Sequence, residues 1–378
     1  MDAPIPISEA HLEDLRRILL KTINKNQILI LSNIPRVATS ITLILRELSR
    51  RHQVPLQTLR RDAQVLRELN LIRYGEVSNF SGVELTELGR FISNLTLDQE
   101  PSLLENMVQT RSGLKPFSSV IKDLRKTVLR MIAEAGSGHL GASLSAIDII
   151  AVLYFMKMRH NPRNPAWHKR DRFILSKGHA APALYAVLAE LGYFPSRELM
   201  SLRSMGSILQ GHPDSKTPGV DICTGSLGQG LSLGVGMALA AKMDSADYKI
   251  YVLLGDGELN EGQVWEAALT ASHYRLDNLI VIVDRNGFQL TGSTRDVKSL
   301  EPLPSKWEAF GWEVLQADGN DPSDFLTSLE AGNLSNGKPI AIIAHTIKGK
   351  GVSFMEGNKY SRKAPSTEEL ARALAELT

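Results

Sequence analysis

Apolar positions along this chain follow two rhythms, and the change between them falls near residue 116. Before it they recur at helical spacing, with Leu12, Leu15, Ile18 and Leu19 in 11–23 and similar patterns in 40–50 and 56–69. Spacings of three and four put such residues on one helix face. Residues 71–75, a turn-rich 78–82 and 83–86 then predict a short hairpin, and 87–95 a further helix. Beyond Pro116 short apolar runs alternate with longer helical ones. The predicted strands are 172–175, 249–254, 279–283, 312–315 and 340–345. The predicted helices are 120–133, 144–158, 181–191, 227–243, 262–274, 322–330 and 367–377. Strands separated by helices of this length predict an α/β fold, a parallel sheet with helices on both faces. The polar stretch 97–112 carries neither rhythm. The expected organisation is therefore a small, mostly helical domain at 1–105, a linker at 106–116 and an α/β domain at 117–378.

Composition changes this picture little. The chain has 378 residues, 43% of them hydrophobic and 22% charged, with a net charge of +2. That is the make-up of a globular protein with room for two or three domains. Its one cysteine, Cys223, excludes an intrachain disulfide framework and fits a reducing compartment. No uninterrupted apolar run reaches the length of a membrane span, and residues 1–10 lack a signal pattern. A cytoplasmic location without membrane association is the expectation.

Local charge is more telling. Between Arg46 and Arg73 seven arginines (46, 50, 51, 60, 61, 67, 73) face three acids, Glu47, Asp62 and Glu68, whereas residues 1–105 hold thirteen of each sign. Helix, helix, helix, hairpin and helix, with "LQTLRRDAQVLRELNL" before the hairpin and "LTELGRFI" after it, resembles a winged helix-turn-helix. The resemblance implies either DNA contact through residues 46–73 or a dimerisation or docking role.

The densest chemistry lies at Gly255-Asp256-Gly257, preceded by the apolar run 251–254, and at Asn286, which follows a second apolar run, 279–283. A Gly-Asp-Gly alone is often only a turn. Two adjacent parallel strands would instead set Asp256 and Asn286 side by side at their C-terminal ends, where open α/β sheets bind ligands. Hard oxygen donors of this kind suit Mg²⁺, which completes its octahedron with phosphate oxygens and water. Three histidines follow glycines, at Gly138-His139, Gly178-His179 and Gly211-His212. Glycine permits close backbone approach, and a helix start offers free N–H groups to an anion. Each histidine alone could equally be structural.

With these residues in view, 117–378 resembles the N-terminal half of a transketolase, the diphosphate-binding domain of thiamine diphosphate enzymes, in the form found as a separate subunit. The resemblance rests on "SGHLGASLSAIDIIAVLY", "DRFILSKGHAAPALYAVLAELG", "TGSLGQGLSLGVGMA", "LLGDGELNEGQVWEAA", "LDNLIVIVDRNGFQLTG" and "HTIKGKGVSFME". It implies that Asp256, Asn286 and the Phe288 carbonyl hold Mg²⁺, and that Gly257, Asn286 and His179 meet the thiamine diphosphate diphosphate. It implies too that the Gly225 carbonyl accepts from the aminopyrimidine, Leu227 packs on the thiazolium, His139 and His212 handle sugar hydroxyl protons, and Glu261 lies at a subunit contact.

The second domain of such a site, which carries the pyrimidine-binding half, is absent from the sequence. The resemblance therefore implies a partner subunit, an α₂β₂ assembly and two-carbon ketol transfer between sugar phosphates. One departure stands out: the family's Trp-His-Gly-Lys-Ala-Pro reads here Tyr360-Ser361-Arg362-Lys363-Ala364-Pro365. Ser361 thus stands where a proton-transferring histidine is usual. Two other readings are a DNA-binding regulator that uses the cofactor domain as a sensor, and decarboxylating chemistry as in the 1-deoxyxylulose 5-phosphate synthases.

Overall fold

In the computed structural model five of the strands after residue 116 line up side by side in one direction. The described residues are 107–332, 337–357, 360, 363–377 and, earlier in the chain, 27, 30, 45, 46, 48, 49, 54–69, 71–73, 84 and 85. Two units separate, Met1–Ser102 and Leu103–Thr378.

In the first unit, helix α1 (Leu56–Glu68) buries Leu59, Asp62, Ala63 and Leu66, the i, i+3, i+4, i+7 stripe that periodicity predicts. Its opposite face exposes Gln57, Arg60, Arg61, Gln64 and Arg67. Strands β1 (Ile72–Arg73) and β2 (Glu84–Leu85) follow and pair antiparallel, as the predicted hairpin requires. Within the predicted 40–50 helix, Leu45, Arg46, Leu48 and Ser49 are helical. The helices expected at 11–23 and 87–95 lie outside the described residues.

The second unit opens with a correction. The segment expected as a linker forms an antiparallel hairpin, β3 (Met107–Thr110) with β4 (Gly113–Pro116). Val108 and Thr110 point inward and are buried, while the Arg111 N–H donates to the Glu190 carbonyl at 2.7 Å. Only two residues are interred, too few for the alternation to stand out in sequence.

Helices α2 (Phe117–Glu134) and α3 (Leu140–Val152) come next, followed by β5 (Arg172–Leu175) and α4 (Ala181–Leu191). After α5 (Gln229–Met243) come β6 (Ile250–Gly255), α6 (Gly262–His273) and β7 (Leu279–Arg285). A small hairpin, β8 (Phe288–Gln289) with β9 (Gly292–Ser293), leads through the one-turn helix α7 (Thr294–Val297) to α8 (Leu303–Ala309). The chain ends with β10 (Glu313–Asp318), α9 (Pro322–Gly332), β11 (Ile340–His345) and α10 (Thr367–Glu376). The predicted α/β fold holds: the five strands are parallel in the order β10-β11-β7-β6-β5.

Strand alternation sorts the core into two layers. Tyr251, Leu253, Ile280 and Ile282 face α2, α3, α4, α9 and α10, whereas Val252, Leu254, Val281 and Val283 face α5, α6 and α8. Strands buried on both faces read as continuous apolar runs, which is why they were legible. Helix α3 starts four residues earlier than predicted, with His139 at its N-cap, and every residue of it is buried. Leu140–Lys157 is long and apolar enough to cross a membrane by length and composition alone, but Asp148 interrupts it and 83% of it is buried within the core.

Candidate functional site

Residues at the C-terminal ends of β5, β6 and β7 converge on one cavity of about 430 Å³. Every sequence-predicted site residue lines it: His139, His179, His212, Gly225, Leu227, Asp256, Gly257, Asn286 and Phe288. Parallel pairing explains the central part. Gly255 lies opposite Asp284, so the chain leaves both strands at one level and delivers Asp256 and Asn286 to the same rim.

Asp256 is buried and its carboxylate is aimed by the backbone. Oδ1 accepts from the Gly257 N–H and Oδ2 from the Gly287 N–H, each at 2.7 Å. Burial, and then the neighbouring Asp284 carboxylate, push its pKa up to about 6. A cation would relieve both effects. Asn286 Oδ1 accepts from the Phe288 N–H at 3.1 Å, and its amide donates to Ser145 Oγ at 3.4 Å. Among the described residues no three His, Cys, Asp or Glu side chains gather in a metal-binding cluster. A cation at Asp256 would thus draw on one carboxylate, one amide and one backbone carbonyl. That set fits Mg²⁺ sharing its remaining positions with phosphate oxygens.

Two glycines shape the floor. A Cβ on Gly257 would sit 2.7 Å from Gln289 Cβ, so no larger residue leaves this backbone in place. Gly228 has φ +84° ahead of α5, and a Cβ added to it would lie 2.8 Å from Glu261 Cβ. The loop carrying Gly225 and Leu227 is fixed from below by the buried Glu258, which accepts from Ser176 Oγ, the Gly228 N–H at 2.8 Å and the Gly255 N–H at 3.0 Å. Glu261 is exposed in the isolated chain.

The histidines line the same cavity. The His139 and His179 rings lie 5.1 Å apart between centroids. Burial, then Lys177, push His179 down to about 2, so its imidazole is neutral at physiological pH. His212 sits exposed at the mouth, with its carbonyl accepting from Tyr185 Oη at 2.9 Å. The loop around it still withdraws enough water to lower its pKa, and Arg203 lowers it further.

Several participants are invisible to motif reading. Lys177 and Asp284, both fully buried, form an ion pair; Asp284 also accepts from Ser145 Oγ at 2.6 Å and from Thr346 Oγ1. One carboxylate therefore ties β5, β7, α3 and the end of β11 beneath the cavity. Lys348 also lines the wall, its pKa pushed down to about 8 by burial and Lys177. The signal for Lys177 was available: a lysine directly after a buried strand needs a buried partner. Ser361 lies outside the described residues.

The second unit is similar to known proteins. The family model described as the transketolase thiamine diphosphate binding domain matches residues 117–376. The chain is 46% identical to one subunit of the apulose-4-phosphate transketolase of Phocaeicola vulgatus, over 67% of this chain and 91% of that protein. It is 48% identical to a 6-deoxy-6-sulfo-D-fructose transketolase subunit of a Clostridium species, over 67% of this chain and 93% of that subunit. Crystalline transketolase from Campylobacter jejuni superimposes with a TM-score of 0.66 at 38% identity, covering 68% of this chain and 42% of that one.

Proposed function

The chain belongs to the transketolase thiamine diphosphate-binding family, and on that footing we propose that it is the diphosphate-binding subunit of a two-subunit enzyme that transfers two-carbon ketol units between sugar phosphates. The observation that carries this reading is the single cavity joining an oriented Asp256–Asn286 pair to three histidines. The subunits that this chain spans over more than nine-tenths of their length support the two-subunit form.

Thiamine diphosphate, when bound, supplies the nucleophile and the electron sink that let a C–C bond beside a ketose carbonyl break. The chain's own residues do the rest. Asp256, Asn286 Oδ1 and the Phe288 carbonyl would hold Mg²⁺ against the diphosphate. Gly257 lets backbone approach it, the neutral His179 donates one N–H to it, and Lys348 adds positive charge nearby. The Gly225 carbonyl would accept from the aminopyrimidine, and Leu227 would pack against the thiazolium. His139 and His212 hold and move protons at the sugar hydroxyls, a task that suits imidazole near neutrality. A partner subunit contributes the pyrimidine-binding half in a cytoplasmic α₂β₂ assembly, with Glu261 at the contact.

Calorimetric titration of thiamine diphosphate and Mg²⁺ into the chain, alone and with its partner, tests the reading. Turnover is expected only in the mixture. Absence of cofactor binding in both would sink it.

The module before the hairpin has a separate role. Gln57, Arg60, Arg61, Gln64, Arg67 and Glu68 are exposed on α1, where the Gln64 amide donates to Glu68 Oε1 at 3.1 Å, while Asp62 faces inward. Arginine and glutamine are the side chains that read guanine and adenine edges. We propose that this face of the 1–105 domain contacts double-stranded DNA. Fluorescence anisotropy with duplex DNA should show binding that weakens steeply with salt. Unchanged affinity after Arg60→Ala and Arg61→Ala together would instead favour protein docking.

A further inference from the structure

Arg203 lies outside the cavity lining and outside every motif of the site, yet its backbone has φ +63°. Long side chains seldom adopt this left-handed conformation, so neighbouring contacts must hold it. Three do. The Arg203 N–H donates to the Leu209 carbonyl at 2.8 Å and closes the loop on itself. The guanidinium packs on Gly211, where an added Cβ would lie 2.9 Å from Nε and Nη2. Nη1 then reaches across to Ser137 Oγ at 3.3 Å.

Ser137 stands two residues before His139, and Gly211 immediately precedes His212. Each histidine's backbone is anchored locally. The His139 carbonyl accepts from Ser143 Oγ at 3.0 Å, inside α3, and the His212 carbonyl accepts from Tyr185 on α4. Arg203 is the side chain that spans the two loops.

We propose that Arg203 is a positioning residue that clamps the His139 and His212 loops at a fixed separation across the substrate end of the cavity. The proposal rests on the ketol-transfer reading of that cavity. It gives a reason for arginine where glycine would meet no backbone strain, and for glycine at position 211: a side chain there would displace the guanidinium. It also accounts for part of the electrostatics. The titratable and charged groups that act on or touch His212 are Arg203 from its own loop, His179 from the turn before α4 and Tyr185 from α4, which donates to its carbonyl. Of these, Arg203 is the one that lowers the His212 pKa after burial.

The test uses the full chain, alone and with its partner subunit. Arg203→Gly removes the clamp and relieves the backbone, so the melting temperature should hold or rise. Thiamine diphosphate and Mg²⁺ should bind as in wild type, because Arg203 does not line their end of the cavity. In the mixture kcat/KM should fall about a hundredfold, chiefly through kcat, as misplacement of reacting groups predicts. In the isolated chain the His212 imidazole, followed by NMR and assigned with His212→Gln, should titrate at higher pH than in wild type. Arg203→Lys should return that titration towards wild type without restoring the rate, since lysine keeps the charge but lacks the planar fork. Wild-type kinetics together with a wild-type His212 titration in Arg203→Gly would overturn the proposal. So would a rate loss that tracks a lower melting temperature and weaker cofactor binding. A wild-type mixture without turnover would count against the two-subunit reading alone, and the titration would still decide the clamp.

Discussion

Asp256 and His212 line the same cavity, but the chain holds them by different means. Asp256 follows a central strand, is almost fully buried, and has both carboxylate oxygens fixed by backbone N–H groups. Beneath it the Lys177–Asp284 pair joins four elements of the fold. His212 sits in an exposed loop, anchored through its carbonyl and through a neighbour's guanidinium. The cation end is thus over-determined by the sheet, while the substrate end depends on a few side-chain contacts between loops. Under the proposed function, a site divided this way would keep cofactor chemistry constant while the loops, together with the partner, tune which sugar fits.

The comparison can be broken at its rigid end first. Asp256→Ala should weaken thiamine diphosphate–Mg²⁺ binding by more than about a hundredfold, since even outer-sphere partners of metal ligands cost roughly 10–100-fold. Activity should vanish with it. Calorimetry on the isolated chain checks the first claim, and near-normal binding would remove Asp256 from the cation site.

At the other end, His139→Gln or His212→Gln should leave that titration unchanged and lower kcat by roughly 10²–10⁴ in the mixture, the usual range for a positioned acid–base group. If cofactor binding fell in parallel, the two ends would not be separable in the way described.

Lys177→Met probes the foundation. It leaves Asp284 buried without its cation, so denaturant unfolding should show a loss of about 3–5 kcal/mol. An unchanged midpoint would mean that the hydroxyls of Ser145 and Thr346 suffice.

The smallest effect concerns pH. His179 has a folded pKa pushed down to about 2, while the unfolded chain takes up that proton near about pH 6.5. The folded state therefore binds fewer protons below that pH, and stability should fall as pH drops, by up to about 1.4 kcal/mol per unit for this group. In the folded chain the His179 ring should show no NMR titration between about pH 8 and 5, well below the usual imidazole midpoint. A midpoint near the unperturbed value would contradict the site geometry.

Much of this was legible in the sequence because burial leaves periodic traces. The five sheet strands and the seven predicted helices fall where apolar runs and stripes placed them, with boundary shifts at α2 and α3. Asp256, Asn286 and the three histidines were legible because each sits beside a glycine or at a strand end. Lys177, Asp284, Ser145 and Glu258 were not. Their roles are relational, and the partners lie 107, 139 and 82 residues apart along the chain. The 107–116 hairpin escaped because only Val108 and Thr110 are interred, and two inward residues do not make a pattern. Arg203 escaped for a similar reason, its meaning depending on a loop sixty-six residues away.

The cavity draws on side chains from His139 to Lys348. The cofactor can recognise only the finished fold, so each binding event is also a vote for that fold over its unfolded competitors. At a free concentration about a hundred times the dissociation constant, binding adds about 2.7 kcal/mol to folding stability. Thiamine diphosphate with Mg²⁺ should therefore raise the melting temperature of the chain, a rise that scales with the logarithm of the free cofactor concentration.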